Sequence, residues 1–521
     1  MPKQIKSILI LGGGTAGWLT ANHLGYLLRK SDSSDIRVTV VESSDIPTIG
    51  VGEGTVPAIR HSLKKFGIKE RDLLSHCQAT FKQGIKFEDW LRDPKDIGPH
   101  YYYHPFDYPD VKSIDLTGYW LRTEGKKRSF ADYVSLQSRM CDRNLSPKVF
   151  GQGEYEGAAS YAYHLDATKF TELLAKNAVE RFSVKRLDHR VVDVRLAQDG
   201  TIHSLKTDSG DELSADFYVD CSGFSSRLLG QSLAVPIVEK KKVLFADSAL
   251  AVQVPYTGLE ESLPSVTIAK ARPAGWMWDI ALQNRRGTGY VYSSEFCSDD
   301  AAESDFRLLL DDPKGELALR KISMTVGYRK KFWVGNCAAI GLAQGFVEPL
   351  EATGLLMFDA SAALLAELLP GDSADLNSAA QQFNSVMANA WDRVIDFIKL
   401  HYCLSARNDT DFWRMNRDPE SIPESLAELL ARWKRRVPCH VDFPNSYDVF
   451  SLENYLYVLY GMEYPTDLTG QGSRYLESQR VVDRLIQRDA QLDMLLGKLP
   501  KHREFLCEMM AFDNVNRMFR T

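Results

Sequence analysis

Long apolar runs are missing from this 521-residue chain. No stretch reaches the ~18 uninterrupted apolar residues that mark a membrane-spanning helix, so no membrane partner is expected. The run from Ser7 to Leu11 is too short for a secretory signal core and ends in glycines, not in a cleavage site. Cysteine is scattered: Cys77, Cys141, Cys221, Cys297, Cys337, Cys403, Cys439 and Cys507 form no CxxC pair. Neither a metal site nor a disulfide framework is therefore signalled, and reduced thiols point to a cytoplasmic protein. Positive charge is not in excess either. Lys plus Arg total 63 against 69 Asp plus Glu, a net charge of −6, which argues against nucleic acid or an anionic membrane as partner. Repeats and low-complexity tracts are absent. What remains is a soluble globular composition, 44% apolar and 25% charged, long enough for three or four domains or two large ones. Aromatic residues reach 11%, with nine Trp. Each buried indole N–H needs a partner, which hints at aromatic-lined sites.

The opening of the chain carries the sharpest local signal. Ile8-Leu9-Ile10-Leu11 reads as a strand buried on both faces. Gly12-Gly13-Gly14-Thr15-Ala16-Gly17 follows, and then Leu19, Leu24, Leu27 and Leu28 recur at helical spacing. Arg37 to Glu42 reads as a second buried strand ending in an acid, 25 residues beyond Gly17. This is the full context of a dinucleotide fingerprint. Gly12 permits the tight turn, Gly14 lets backbone approach a pyrophosphate, and Gly17 lets helix and sheet pack closely. The helix N-terminus faces the phosphates. Glu42 would accept a ribose 2′-hydroxyl and disfavour a 2′-phosphate, leaving NAD or FAD. Further along, Val191 to Val194, Asp216 to Asp220, Ala249 to Val254 and Gly289 to Tyr292 read as strands. Phe332 to Gly341 reads as a strand running into a glycine turn, and Thr353 to Leu369 as a helix stopped by Pro370-Gly371. From Phe383 the pattern is helical: Met387, Trp391, Val394, Ile398 and Tyr402 recur at spacings of three and four. Residues 96–154, rich in Tyr, Pro and Asp, read as an inserted loop region near the substrate site. The expected division is a nucleotide-binding α/β body over 1–95 and 155–382, and a mainly helical module over 383–521.

Gly275-Trp276-Met277-Trp278-Asp279-Ile280, together with Gly12 to Gly17, resembles the marker pair of the flavin-dependent halogenases. Ala79 to Phe87 resembles the stretch around the catalytic lysine of the tryptophan-halogenase branch, and Gly345 to Gly354 the stretch around its catalytic glutamate. Tyr103 to Phe106, Leu404 to Asp409 and Phe412-Trp413-Arg414 also look like that branch. The matches run from residue 10 to about 465, in order. The resemblance implies a Rossmann-type, flavin-monooxygenase-like FAD-binding fold and assigns substrate binding to the helical module over 383–521. It implies FAD, delivered reduced by a separate NAD(P)H-dependent flavin reductase, with chloride or bromide and O2 as co-substrates. Hypohalous acid would form at the flavin, cross an internal channel and halogenate an electron-rich aromatic ring. A homodimer is common in such enzymes.

By the same resemblance, Lys82 and Glu351 are the catalytic pair. Gly12, Gly14, Thr15, Ala16, Gly17, Glu42, Gly50, Val51, Gly52, Glu53 and Ile340 contact the cofactor. Thr353 and Gly354, opening a helix, bind halide. His104 and Phe106 sandwich the ring, with Phe450 and Asn454 nearby, and Trp276 and Trp278 line the channel. The residues themselves leave alternatives. As one strand, residues 79–87 would place Phe81, Ile85 and Phe87 on one face and Lys82 and Lys86 on the other, so both lysines could face solvent; Lys86 is read as structural. Glu348 competes with Glu351. Thr353 could be a plain N-cap, and the Trp pair could be core. Two departures stand out: Ala281 replaces the usual Pro, and Val441 to Glu453 lacks the Tyr pair, Trp and Glu that clamp free tryptophan. Indole or a substituted indole is therefore as good a substrate as tryptophan. A single-component aromatic hydroxylase and a non-catalytic FAD-binding protein are the other readings.

Overall fold

The computed structural model describes residues 3–30, 35–46, 52–109, 115–122, 127–258, 260–445, 447–476 and 478–518. Its first layer grows from the opening strand. Ser7–Leu11 lies between Arg37–Glu42 and Phe217–Asp220, parallel to both, with Leu11 opposite Val41 on one side and Asp220 on the other. Ile8 to Leu11 are buried, as a strand flanked on two edges and two faces requires. The helix Thr15–Lys30 makes the crossover and packs against the helices Ala167–Phe182 and Thr353–Leu368. Lys185–Asp188 closes one edge of this six-stranded sheet. At the other edge the single strand expected over 332–341 is instead a tight hairpin. Trp333–Val334 turns back antiparallel on Cys337–Ala339, with Gly335 at φ +55° in the turn. Hydrophobic continuity hid the reversal, because both short arms are apolar.

A second, seven-stranded sheet runs in the order Arg320–Ser323, Ser248–Pro255, Arg285–Tyr292, Gly275–Ala281, Thr267–Arg272, Gly84–Glu88, Tyr101–Pro105. Residues 96–154 are therefore not a loop region. They supply that sheet's edge strand and the helices Leu116–Arg122, Phe130–Val134 and Gln137–Asp142. Tyr102, Tyr103 and Tyr133 are core, and Tyr102 stacks on Phe87 with centroids 4.8 Å apart; Tyr101 and Tyr108 stay exposed.

The stretch 79–87 is likewise not one strand. Thr80–Lys82 pairs with Ala162–Leu165 in a small three-stranded sheet whose far strand is Glu53–Gly54. Gly84–Glu88 joins the seven-stranded sheet between Thr267–Arg272 and Tyr101–Pro105. The chain changes sheets at Gln83, whose amide donates to the carbonyl of Leu145 (2.8 Å) and the hydroxyl of Ser265 (3.0 Å). Gly84 makes the change possible. Its φ is +153°, and a Cβ there would lie 2.4 Å from the His104 carbonyl oxygen.

The helical part begins at Leu376, seven residues before Phe383, with the 28-residue helix Leu376–Cys403. Met387, Trp391, Val394, Ile398 and Tyr402 are all buried. Glu424–Trp433, Leu452–Gly461 and Gln479–Lys498 follow. Among the described residues, no helix is long and apolar enough to cross a membrane.

Gly84→Ala tests the sheet change. Left-handed strain and the clash with a backbone oxygen together cost on the order of 2 kcal/mol. The expected outcome is a lowered urea midpoint and thermal midpoint; an unchanged midpoint would count against a glycine-only position.

Candidate functional site

The nucleotide end is built from the first crossover. Gly12 sits at φ +113°, and a Cβ there would stand 2.2 Å from the Cys221 carbonyl oxygen. Gly17 packs on Gly12 in the same way: its Cβ would meet the Gly12 oxygen at 1.9 Å. Gly14 has nothing within 4 Å of where a Cβ would be, so the loop presents bare backbone to open space. Thr15 bonds the Thr171 hydroxyl at 3.0 Å, and the Ala16 methyl lies under the Gly341 turn. Ile340, fully buried, donates its N–H to the Asp220 carbonyl at 2.9 Å. The Glu42 carboxylate accepts the Trp18 indole N–H (3.3 Å) and pairs with the Arg186 guanidinium. It lines a cavity of about 480 Å³ with Gly13, Trp18, Thr171 and Arg186. A glycine cradle at a helix N-terminus with an acid beyond it fits the diphosphate and ribose of a dinucleotide. Gly52 sits at φ +136° and Glu53, whose carboxyl burial pushes up to about 7, opens the small sheet opposite Leu165. Gly50 and Val51 lie outside the described residues.

Sequence reasoning missed Asp220. Its carboxylate accepts the backbone N–H groups of Leu228 and Leu229, both at 2.8 Å, and of Ser222 at 3.1 Å. It thereby folds the small-residue turn after its strand back against the sheet. An acid closing an otherwise apolar strand was the available signal.

The second end gathers Lys82. Both the Lys82 side chain and its strand are buried, and Nζ has no hydrogen-bond partner. The ammonium lies 5.3 Å from the centroid of the Phe106 ring, a cation–π distance. A Cβ on Gly54 would come within 3.2 Å of Nζ, so the strand after Gly52 passes directly beside the amine. Burial pushes Lys82 down to about 8, against the opposing pull of the Glu351 charge. Lys86, on the other sheet, pairs with Glu88 at 3.0 Å at a half-buried position. The Lys82 strand is also held from far away in sequence. His502 Nε2 accepts the Phe81 backbone N–H at 2.9 Å, while its Nδ1 lies 3.2 Å from the Leu263 carbonyl oxygen. Burial lowers His502 to about 4, so the ring is neutral and can accept.

Glu351 occupies the turn before the helix Thr353–Leu368. It and Ala352 both take positive φ, +65° and +56°. Two successive non-glycine residues there store strain, which the carboxylate contacts offset. Oε1 meets His104 Nδ1 at 2.8 Å and His401 Nε2 at 2.9 Å. Burial alone would raise this carboxyl, but the two imidazoles outweigh it and hold it down at about 2. The hydrogen-bond inventory fixes the His104 proton. Asn454 Oδ1 accepts the Ser451 N–H (2.9 Å), so its amide nitrogen faces His104 Nε2 (3.1 Å). His104 therefore accepts at Nε2 and donates from Nδ1 to Glu351. His401 Nδ1 lies 2.9 Å from the Phe397 carbonyl, so acceptors flank both its nitrogens. His401 was not among the expected residues; a histidine amid the buried stripe of its helix was the only cue.

Glu348 is occupied elsewhere. Its Oε2 accepts the Trp276 indole N–H at 2.6 Å and the Tyr402 hydroxyl at 2.5 Å, and burial pushes it up to about 7. Trp276 and Trp278 stand side by side, centroids 6.2 Å apart. Thr353 is not the N-cap of its helix, since Ala352 holds that position; its hydroxyl bonds the Glu348 carbonyl at 3.5 Å. Gly354 has nothing within 4 Å of a Cβ position. Phe450 is buried and stacks on Phe397 at 4.1 Å, and Phe397 in turn meets the rings of His104 and His401. The expected residues thus form two groups: Lys82 with Phe106, and Glu351 with His104 and Asn454.

The tryptophan halogenase family profile matches residues 7–474. This chain belongs to the tryptophan halogenase family. It is similar to the tryptophan 6-halogenase of Streptomyces toxytricini, with 35% identity over 89% of each chain. The tryptophan 7-halogenase of Lentzea aerocolonigenes is 33% identical over 97% of this chain and 99% of that one. The solved tryptophan halogenase of Shewanella frigidimarina superposes with a TM-score of 0.93 and 36% identity over 98% of both chains. The halogenase fold, with its flavin-binding Rossmann-like layer, is therefore that of this protein, and such enzymes draw their flavin from a separate reductase and use halide. Among the described residues of this halogenase, no group of three or more His, Cys, Asp or Glu is placed to hold a metal ion.

The Glu351 clasp has a signed pH dependence. A carboxyl depressed in the native state stabilises fully above its unfolded value, roughly 4.3, and loses that contribution as pH falls toward about 2. Glu351→Gln is expected to destabilise the protein near neutral pH. Its gap from wild type in urea unfolding should close as pH falls through that window; a gap independent of pH would contradict an ionised carboxylate.

Proposed function

We propose that this protein is an FADH2-dependent halogenase that places chlorine or bromine on an electron-rich aromatic ring, an indole before free tryptophan. The observation that carries this reading is a buried, unpartnered Lys82 ammonium over Phe106, sensing the charge of a carboxylate that two histidines keep ionised.

Gly12, Gly14, Thr15, Ala16, Gly17 and Glu42 would hold the nucleotide half of FAD, and Ile340, Gly52 and Glu53 would contact the cofactor too. Bound reduced FAD, handed over by a separate NAD(P)H-dependent reductase, supplies the electrons with which O2 oxidises halide to hypohalous acid. Thr353 and Gly354 offer backbone N–H groups at the positive end of their helix to the halide. Trp276, fixed by Glu348 and Tyr402, stands with Trp278 along the passage and keeps the aromatic substrate from the flavin. Lys82 donates a hydrogen bond to the hypohalous oxygen and aims the halogen at one carbon. Its depressed pKa makes it a readier proton donor than a solvated lysine. The ring π pair attacks halogen, the halogen–oxygen bond breaks, and the oxygen leaves as water with the proton from Lys82. Glu351 stabilises the cationic ring and takes its proton. His104 and Phe106 present flat faces to the ring, and Asn454 fixes the His104 proton. The relatives are named for tryptophan, yet the 441–453 segment lacks the clamp for its amino-acid end, which favours indoles without one.

The test is a reductase-coupled assay with FAD, NaBr and a panel of indole, substituted indoles and tryptophan, read by mass spectrometry. The expected product carries the bromine isotope doublet. Lys82→Ala and Glu351→Gln should each lower turnover by at least about a hundredfold, with the halide still oxidised in Lys82→Ala. An oxygenated product without halogen would favour an aromatic hydroxylase instead, and unchanged turnover in Lys82→Ala would overturn the mechanism.

A further inference from the structure

A second cavity, of about 390 Å³, is lined by chain neighbours of the ring-site residues, and its chemistry is not used by the mechanism above. It is bounded by Asp107, which follows Phe106, and by Leu452 and Glu453, which precede Asn454. Tyr457 ties the two sides together: its hydroxyl donates to the Asp107 carbonyl at 3.0 Å, and its ring lies 5.9 Å from His104. The far wall is the helix Gln479–Lys498, which contributes Arg488 and, one turn earlier, Arg484.

Arg488 is the unusual member. Its side chain is 5% exposed, yet only one of its three nitrogens is used, Nη2 donating to Asp489 at 2.9 Å. Nε and Nη1 have no hydrogen-bond partner. A buried guanidinium with unmet donors is costly unless an acceptor arrives. The acids on the opposite wall are already engaged: Asp107 accepts the Ser135 hydroxyl at 3.1 Å, and Glu453 accepts the Ser451 hydroxyl at 2.6 Å. Arg488 is therefore the group of this wall whose donors are unmet, and those donors call for an acceptor.

We infer that Arg488 receives the carboxylate of an acid-bearing aromatic substrate, so that the preferred indoles carry a short anionic side chain. This rests on the proposed function for the ring site. A carboxylate on Arg488 forms charge-assisted bonds, and the apolar wall of Val134, Leu452 and Leu456 accepts the chain that joins it to the ring.

The experiment compares two ligands of the same shape and different charge, indole-3-acetate and indole-3-acetamide, by calorimetric titration into the full chain. Wild type should bind the acid at least about tenfold more tightly than the amide. In Arg488→Gln that ratio should fall to about one, and in Arg488→Lys it should stay between the two. Equal binding of acid and amide by wild type overturns the proposal, as does an unchanged ratio in Arg488→Gln. If Arg488→Gln does not fold, the wild-type ratio and Arg488→Lys still decide. The titration uses no halide or oxygen, so its failure leaves halogenation intact. Absence of brominated product from every indole would overturn the halogenase reading and leave the titration standing.

Discussion

Taking a carboxylate out of water costs several kcal/mol unless protein groups replace the lost hydration. Glu351 meets that condition through two imidazoles on one oxygen, one from the edge strand Tyr101–Pro105 and one from the helix Leu376–Cys403. Much of the architecture follows from bringing those elements together. The edge strand must reach the turn before the helix Thr353–Leu368, the long helix must lie across it, and Asn454 must orient the first imidazole. The positive φ values of Glu351 and Ala352 persist because the surroundings leave the carboxylate no other place. Lys82 is the complement: a buried cation with no direct partner, whose charge is favoured by that same carboxylate.

The two sheets divide the labour. The six-stranded sheet carries the glycine cradle at its first crossover, and the small sheet of Glu53–Gly54, Ala162–Leu165 and Thr80–Lys82 carries the lysine beside the strand that follows Gly52. The change of sheets at Gln83 lets one short stretch serve both the lysine and the seven-stranded sheet that holds Trp276 and His104. Glu348 has a different task from its neighbour Glu351: it fixes an indole ring, and burial raises it where imidazoles lower the other. Two buried carboxyls three residues apart are thus driven in opposite directions, one by burial and one by its imidazole partners.

The parts legible in the sequence were those whose signal is contiguous. The strand, glycine loop, helix and second strand at the start each show their own periodicity, and the chain there folds as its pattern reads. Lys82 and Glu351 stood out through their flanking strings, and the turn and helix after Glu348 follow that register. Periodicity could not say which sheet a strand joins, so the break at Gln83 was invisible. Composition misread residues 96–154, because Tyr102 and Tyr103, which look like part of a polar loop, are buried in a sheet edge. His401 was missed for a related reason. What it does depends on a partner brought close by tertiary packing, an acid 50 positions away, and no local pattern encodes such a meeting; Asp220 closes a local turn whose donors are backbone N–H groups, which carry no side-chain signature.

The bond from Phe81 to His502 joins residues 421 positions apart, and it braces the strand that presents the lysine. A ribosome has made the whole cradle, both sheets and the long helix before it makes that histidine. The lysine strand therefore gains its last brace only near the end of synthesis, after every strand of both large sheets has been made.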